Sequence, residues 1–468
     1  MNTVSKKHIF FTGLMLFSLF FGAGNLIFPP MLGQNAGENF WPAMIGFLLT
    51  GVGLPLLTVI AISLSGNGMQ QLASHVHPLF GIFFTVVVYI AIGPSMGIPR
   101  VANVAYEMGV SSFLPETIRS SSLVLFVYTI IFFTIVFWLS LNPSKLVDRI
   151  GNVLTPILLL SIFLLFVKSV FTPLGQSGPA MQEYQTSPIF KGFMEGYLTM
   201  DTISALAFGI IVVNAIRSKG VNDRKSIAIA TAKAGLIAAT GLVLVYGALG
   251  WLGATSVSLG YAKNGGQLLT VIVQQLFGPY GLLLLSLIVT LACLTTCVGL
   301  VSACSQYFST LLTTFSYKTF ASIICALGLL VANLGLTKII AISVPILLVV
   351  YPIAIVLVLL SLLHKYFGGY RSVYVGALIG AAVVSVFDGL KQGGISVSFI
   401  TPYFEFIPLY NEGIGWLIPA LVGGLIGLAT ARLSGTKKSS ISNRISRSKS
   451  LLKKLPKGSF FTFDTQHD

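Results

Sequence analysis

The chain has 468 residues, of which 55% are hydrophobic and only 9% charged, against roughly 25% charged in a soluble domain, so a water-soluble fold is excluded. A net charge of +15 would suit nucleic acid, but the basic residues are not interleaved with aromatics and many lie in one terminal tail, so that partner is excluded too. Cys293, Cys297, Cys304 and Cys325 all fall inside apolar runs, which speaks for packing and against a disulfide framework or zinc spacing.

Apolar runs recur along the whole chain, most of them about 20 residues long, the length with which a helix crosses a hydrocarbon core about 30 Å thick. In lipid the backbone must satisfy itself, and the runs are too long and uniform for barrel strands. The fold class is therefore all-α and polytopic, with twelve spans at 9–31, 41–64, 79–99, 123–141, 153–171, 193–216, 227–252, 280–312, 320–336, 339–363, 372–387 and 414–431. Lys6 and Lys7 ahead of an apolar run resemble the start of a signal peptide, but no small-residue cleavage site ends that run.

The first span contains Phe21-Gly22-Ala23-Gly24-Asn25-Leu26-Ile27-Phe28-Pro29-Pro30. Glycine disfavours helix by about 1 kcal/mol relative to alanine and lets another atom approach the backbone. Close helix packing through small residues would use the same glycines. Asn25 favours the functional reading, because an amide in mid-membrane needs a partner. In the third span Gly93-Pro94 and Pro99 are expected to kink the helix. Arg100 and Glu107 follow it near the expected outer face, as an interfacial charge pair or as part of an outer gate.

The sixth span carries Met200-Asp201-Thr202-Ile203-Ser204 near its middle. A carboxylate there is costly, so Asp201 should face a cavity, a cation or a basic partner. Glu195, nearer the outer end, is expected to be solvated. The first and sixth spans are five apart and each is interrupted mid-way, which points to an inverted-repeat transporter whose opened helices turn carbonyls toward cations and N–H groups toward anions. The eighth span adds Ala292-Cys293-Leu294-Thr295-Thr296. Each threonine could satisfy itself on its own helix, while two in succession could offer oxygens to a hard cation.

Lys and Arg mark the cytoplasmic loops. Alternate loops hold twenty and seven of them, with Lys233 inside the seventh span, and the richer set includes Arg217 to Lys225 and the tail. Both termini are expected to be cytoplasmic, with the serine-rich basic tail from Ser434 lying mobile or on anionic lipid.

At these residues the chain resembles the bacterial branched-chain amino acid:cation symporters, the BrnQ-type carriers, and the stretch from Phe21 to Pro30 is the most specific part of the resemblance. The family is related to the LeuT-like fold, which implies a 5+5 inverted repeat with discontinuous helices 1 and 6. Its divisions would be a cytoplasmic segment at 1–8, repeats at 9–171 and 172–363, helices 11 and 12 at 364–433, and a tail at 434–468. The resemblance implies substrate contacts at Gly22, Ala23, Gly24, Asn25, Asp201, Thr202 and Ser204. It also implies cation ligands at Ser18, Phe21, Asn25, Ala292, Thr295 and Thr296. Asp201 departs from the neutral residue of many relatives of the fold, which leaves Na+ and H+ both open as the coupling ion.

The expected activity is import of leucine, isoleucine and valine into a bacterial cell by alternating access, with membrane lipid as surroundings and no cofactor beyond the coupling ion. A carrier of another small solute is the alternative within the class. Enzyme chemistry is not expected, since no His-Glu-x-x-His occurs and His8, His75, His77, His364 and His467 lie outside the apolar centres. Nothing repeats like a channel filter or charged ring.

Overall fold

A chain this apolar closes its backbone hydrogen bonds within single segments, and every regular element among the described residues is helical. The structure is a computed structural model describing residues 5–66, 68–119, 121–141, 155–221 and 223–434. The basic loop holding Lys145 and Arg149, and the tail beyond Ser434, lie outside the described residues.

The first span starts as α1 (Lys6–Phe20), capped by Ser5, and resumes as α2 (Ala23–Ala36). Between them Phe21 (φ −72°, ψ 89°) and Gly22 (φ −119°, ψ −160°) leave helical geometry. The chain reverses at Gly37, whose φ of 51° suits glycine. Then α3 (Phe40–Leu48) passes through the π-turn Leu49–Gly53 into α4 (Leu54–Ser65).

The third span joins α5 (Pro78–Ile90) to α6 (Gly97–Ala105) through the π-turn Ala91–Ser95, where Gly93 and Pro94 interrupt the helix. It does not end at Pro99, because a second π-turn, Tyr106–Val110, carries it on. Arg100 and Glu107 therefore lie inside the span and not in a loop after it. Next come α7 (Ser122–Ser140) and α8 (Thr155–Phe171).

The sixth span is two helices, α9 (Pro188–Tyr197) and α10 (Asp201–Arg217), bent by 47°. Glu195 on α9 is ion-paired rather than simply solvated, because Lys191 lies one helical turn away at 3.4 Å and also reaches Glu183 at 2.5 Å.

The remainder is α11 (Arg224–Ala254), α12 (Gly265–Leu311), α13 (Tyr317–Ala332), α14 (Leu336–Leu363), α15 (Arg371–Gln392) and α16 (Leu417–Leu433). Inside α12, Gly278 (φ 61°) and Pro279 break the helix just before the position at which hydropathy starts the eighth span. Among the described residues, seven helical stretches have the length and composition to cross a membrane, the bent α9–α10 pair makes an eighth, and α8, α13 and α16 are shorter apolar helices.

Packing follows a reciprocal pattern. Both halves of the first broken span, α1 and α2, lie against α11, while α9 lies against α3 and α10 against α4. The contacts are glycine-mediated: a Cβ on Gly33 of α2 would lie 1.9 Å from the Gly250 carbonyl oxygen of α11, and one on Gly46 of α3 would lie 1.8 Å from that of Ile189 on α9. Small residues bring backbones together where lipid supplies no hydrophobic drive. A second group, α6, α7, α12 and α13, packs within itself, and the two groups meet where α12 lies along α2.

Candidate functional site: two helix breaks on one cavity

The breaks of the first and sixth spans open onto the same cavity. Gly22, Ala23, Gly24 and Asn25 line it from one side, Thr199, Met200, Asp201 and Ser204 from the other, and Arg100 and Thr296 from facing helices, with apolar walls at Ile92, Val101, Phe208 and Leu300. Its volume is about 30 Å³, room for roughly two ordered waters.

The second break is held open by its backbone. Met200 sits at φ 66°, ψ 13°, a left-handed conformation that costs a non-glycine residue about 1–3 kcal/mol and is retained where surroundings fix it. Here they do: Met200 is buried, and the Thr199 hydroxyl donates to the Gly196 carbonyl at 2.9 Å while accepting the Asp201 N–H at 3.4 Å. The break leaves a carbonyl end on α9 and an N–H end on α10. Arg100 faces the first and Asp201 sits in the first turn of the second, so both charges agree with the helix dipoles.

Arg100 is 4% exposed. Its Nη1 donates to the Leu198 carbonyl at 2.6 Å and its Nη2 to the Thr199 carbonyl at 3.2 Å, with the guanidinium carbon 5.4 Å from the Phe28 ring centre. Gly24 admits it: a Cβ there would lie 3.0 Å from Nη2 and 3.2 Å from the Thr199 backbone.

Asp201 is 2% exposed. Its Oδ2 accepts from Asn25 Nδ2 and from the Tyr246 hydroxyl, both at 2.8 Å, and Asn25 Nδ2 also donates to that hydroxyl. Asn25 Oδ1 in turn accepts the Gly22 N–H at 2.8 Å. One amide therefore spans the first break and reaches the carboxylate of the second.

Thr296 on α12 donates to the Phe21 carbonyl at 3.5 Å and lies against Gly22, where a Cβ would come within 3.0 Å of its methyl group. Thr295 instead donates to the Ala292 carbonyl at 2.7 Å, the self-satisfied arrangement of a helical hydroxyl.

Of the residues singled out by sequence, Gly22, Ala23, Gly24, Asn25, Asp201, Ser204, Thr296 and Arg100 share the cavity wall, and Phe21 meets Thr296 beside it. Ser18, Ala292 and Thr295 are outside the wall, and Thr202 turns its hydroxyl to the Thr50 carbonyl at 3.4 Å. Arg100 and Glu107 do not pair. Glu107 accepts from Asn264 at 3.0 Å, while Arg100 lies buried in the cavity wall. Sequence reasoning missed Tyr246. A hydroxyl in the middle of an apolar run was its signal, and its ring is read as apolar.

Comparison with known proteins places this geometry in context. The family model described as "Branched-chain amino acid transport protein" matches residues 5–434. The chain is similar to the branched-chain amino acid permease BrnQ of Bacillus subtilis, 49% identical over 91% of this chain and 97% of that protein. It is also similar to the branched-chain amino acid transport system 2 carrier protein of Pseudomonas aeruginosa (45%; 92% and 97%) and to BrnQ of Escherichia coli (38%; 94% and 99%). Two solved structures share the fold at 15% identity. They are Mhp1, a nucleobase-cation-symport-1 family transporter in a closed conformation (TM-score 0.60, covering 93% and 95% of the two chains), and MhsT in complex with L-phenylalanine (0.53; 93% and 99%).

Proposed function

The chain belongs to the branched-chain amino acid transport protein family, a family of permeases and not of enzymes, and from that premise we propose that it carries leucine, isoleucine and valine across the cell membrane by alternating access, driven by Na+ or H+. The observation that carries the reading is the pair of interrupted helices facing one buried cavity, with half-helix ends of both polarities and Asp201 in its wall. That is the arrangement which binds a small zwitterion at mid-membrane.

On this reading the substrate's carboxylate meets the N–H end of α2 and its ammonium meets Asp201 and the carbonyls ending α1. The branched side chain lies against Ile92, Val101, Phe208 and Leu300. An apolar wall separates side chains differing by one methylene by only about 1–3 kcal/mol, so all three substrates are accepted. On this reading, loading requires one helix group to swing from the other.

The coupling cation belongs at the Phe21 carbonyl and the Thr296 hydroxyl. Oxygens 3.5 Å apart are spaced as two ligands roughly at right angles around a hard cation with oxygen ligands at about 2.4–2.5 Å. A proton at Asp201 is the other coupling route, and either ion gains about 2.3 kcal/mol per charge per 100 mV. Twelve passes in a 5+5 inverted repeat account for the reciprocal packing of α1 and α2 on α11, and of α9 and α10 on α3 and α4. The excess of basic residues in alternate loops supports a cytoplasmic position for both termini.

Uptake of labelled leucine, isoleucine and valine into proteoliposomes, with Na+ and H+ gradients imposed separately, tests the reading. Saturable uptake of all three under one gradient is expected. Uptake of none under either gradient overturns it.

A further inference from the structure

A guanidinium in the middle of a membrane protein is expensive and demands partners. Arg100 has five N–H donors. Two reach the carbonyls of Leu198 and Thr199, while Nε, fully buried, has no acceptor. Neutralising Asp201 would need only a point charge, and a lysine would serve. A planar fork with an unmatched edge suits a bidentate acceptor such as a carboxylate. The surroundings agree, because the guanidinium lies in the cavity wall against Gly24, at the N-terminal turn of α2, which also favours an anion.

We infer that Arg100 binds the substrate's α-carboxylate through the guanidinium edge that carries Nε, beside the N-terminal turn of α2, while Asp201 takes the ammonium. The inference rests on the amino-acid reading of the cavity and adds a side-chain receptor to it. Two opposite charges on facing walls recognise a zwitterion as a unit. An amine without the carboxylate, or an acid without the ammonium, leaves one of them unmatched. Backbone recognition at Gly24 is retained, and Arg100 adds the discrimination that neutral N–H groups alone supply less strongly.

The test compares binding of L-leucine and L-leucinol, which lacks the carboxylate, to the purified full chain and to Arg100→Lys and Arg100→Gln, by displacement of labelled leucine or by thermal-shift titration. The unaltered chain is expected to prefer leucine by roughly 10- to 100-fold, the range of one charge-assisted pair. In both variants leucine affinity falls by about that factor while leucinol affinity holds, so the ratio approaches one. Lysine keeps the charge and serves as the second variant should glutamine fail to fold. Equal weakening of both ligands, or an unchanged ratio, overturns the assignment and leaves Arg100 as a clamp on the helix break. Absence of saturable leucine binding by the unaltered chain, with either ion present, brings down the amino-acid reading itself, a result distinct from a retained ratio.

Discussion

Tyr246→Phe removes one oxygen atom and leaves a ring in place, so its effect isolates the polar link between the two helix breaks. The ring packs edge-on to Phe47 with centroids 5.4 Å apart, and phenylalanine preserves that contact. Asp201 Oδ2 then loses one of its two donors, and Asn25 loses the hydroxyl it shares with Asp201. A hydrogen bond to a charged group contributes about 1.5–3 kcal/mol net, and a water entering from the cavity recovers part of it, so a loss of about 1–2 kcal/mol is expected. At about 1.4 kcal/mol per decade that is a fall of roughly 5- to 30-fold in uptake per unit of substrate below saturation, with a lowered melting temperature in detergent. The assay is initial-rate leucine uptake in proteoliposomes beside thermal unfolding of the same preparation. Parent-like uptake and melting in the variant would show that the hydroxyl does not position Asp201.

Thr296→Ala removes the hydroxyl facing the Phe21 carbonyl and is expected to raise the Na+ concentration for half-maximal uptake by about tenfold, the effect of losing one polar partner worth about 1.4 kcal/mol. Thr295→Ala, whose hydroxyl is engaged on its own helix, leaves it nearly unchanged. A Na+ titration that moves in neither variant counts against the eighth-helix site. Asp201→Asn keeps size and one acceptor oxygen but loses the charge, so leucine uptake should fall at least about tenfold, and full activity at every pH would remove Asp201 from the mechanism. Gly33→Ala places a methyl 1.9 Å from the Gly250 oxygen, a backbone atom that cannot turn aside, so destabilisation at or above the roughly 3 kcal/mol end of overpacking is expected. Gly247→Ala on the same helix as Gly250 meets nothing within 4 Å and should be neutral or stabilise by up to about 1 kcal/mol. Parallel melting curves check the pair, and equal losses would refute the close approach of α2 and α11.

The breaks were legible in sequence where a glycine or polar residue interrupts an apolar run, as at Gly22 and Asn25 and at Asp201. They were not legible where the backbone alone departs. Met200 takes a left-handed conformation that nothing in its side chain announces, and the second π-turn of the third span, Tyr106–Val110, carries no proline to mark it, unlike the break that Gly93-Pro94 announces. Arg100 was placed outside because the apolar run stops at Pro99 while the helix continues to Val110. Hydropathy measures the cost of transfer to lipid, and a buried arginine bonded to carbonyls is never transferred there. Tyr246 escaped for the converse reason, as an apolar ring carried its hydroxyl unnoticed into a buried hydrogen-bond triangle.

The hydrogen bonds divide according to the two helix groups, and that division bears on how ligands drive the cycle. The triangle of Asn25, Asp201 and Tyr246 ties α2, α10 and α11, all within one group. Arg100 to the carbonyls of Leu198 and Thr199, and Thr296 to that of Phe21, cross the seam to the other group. A swing of one group against the other can leave the triangle intact but must break the crossing bonds, each worth about 1–3 kcal/mol in a dry site. The proposed cation and carboxylate positions lie on the same seam, at Phe21 with Thr296 and at Arg100. Each ligand then bridges both groups and favours closure by its differential affinity for the closed state, which is the only way a ligand can shift such an equilibrium. A variant with a stronger seam should therefore bind substrate more tightly and transport it more slowly.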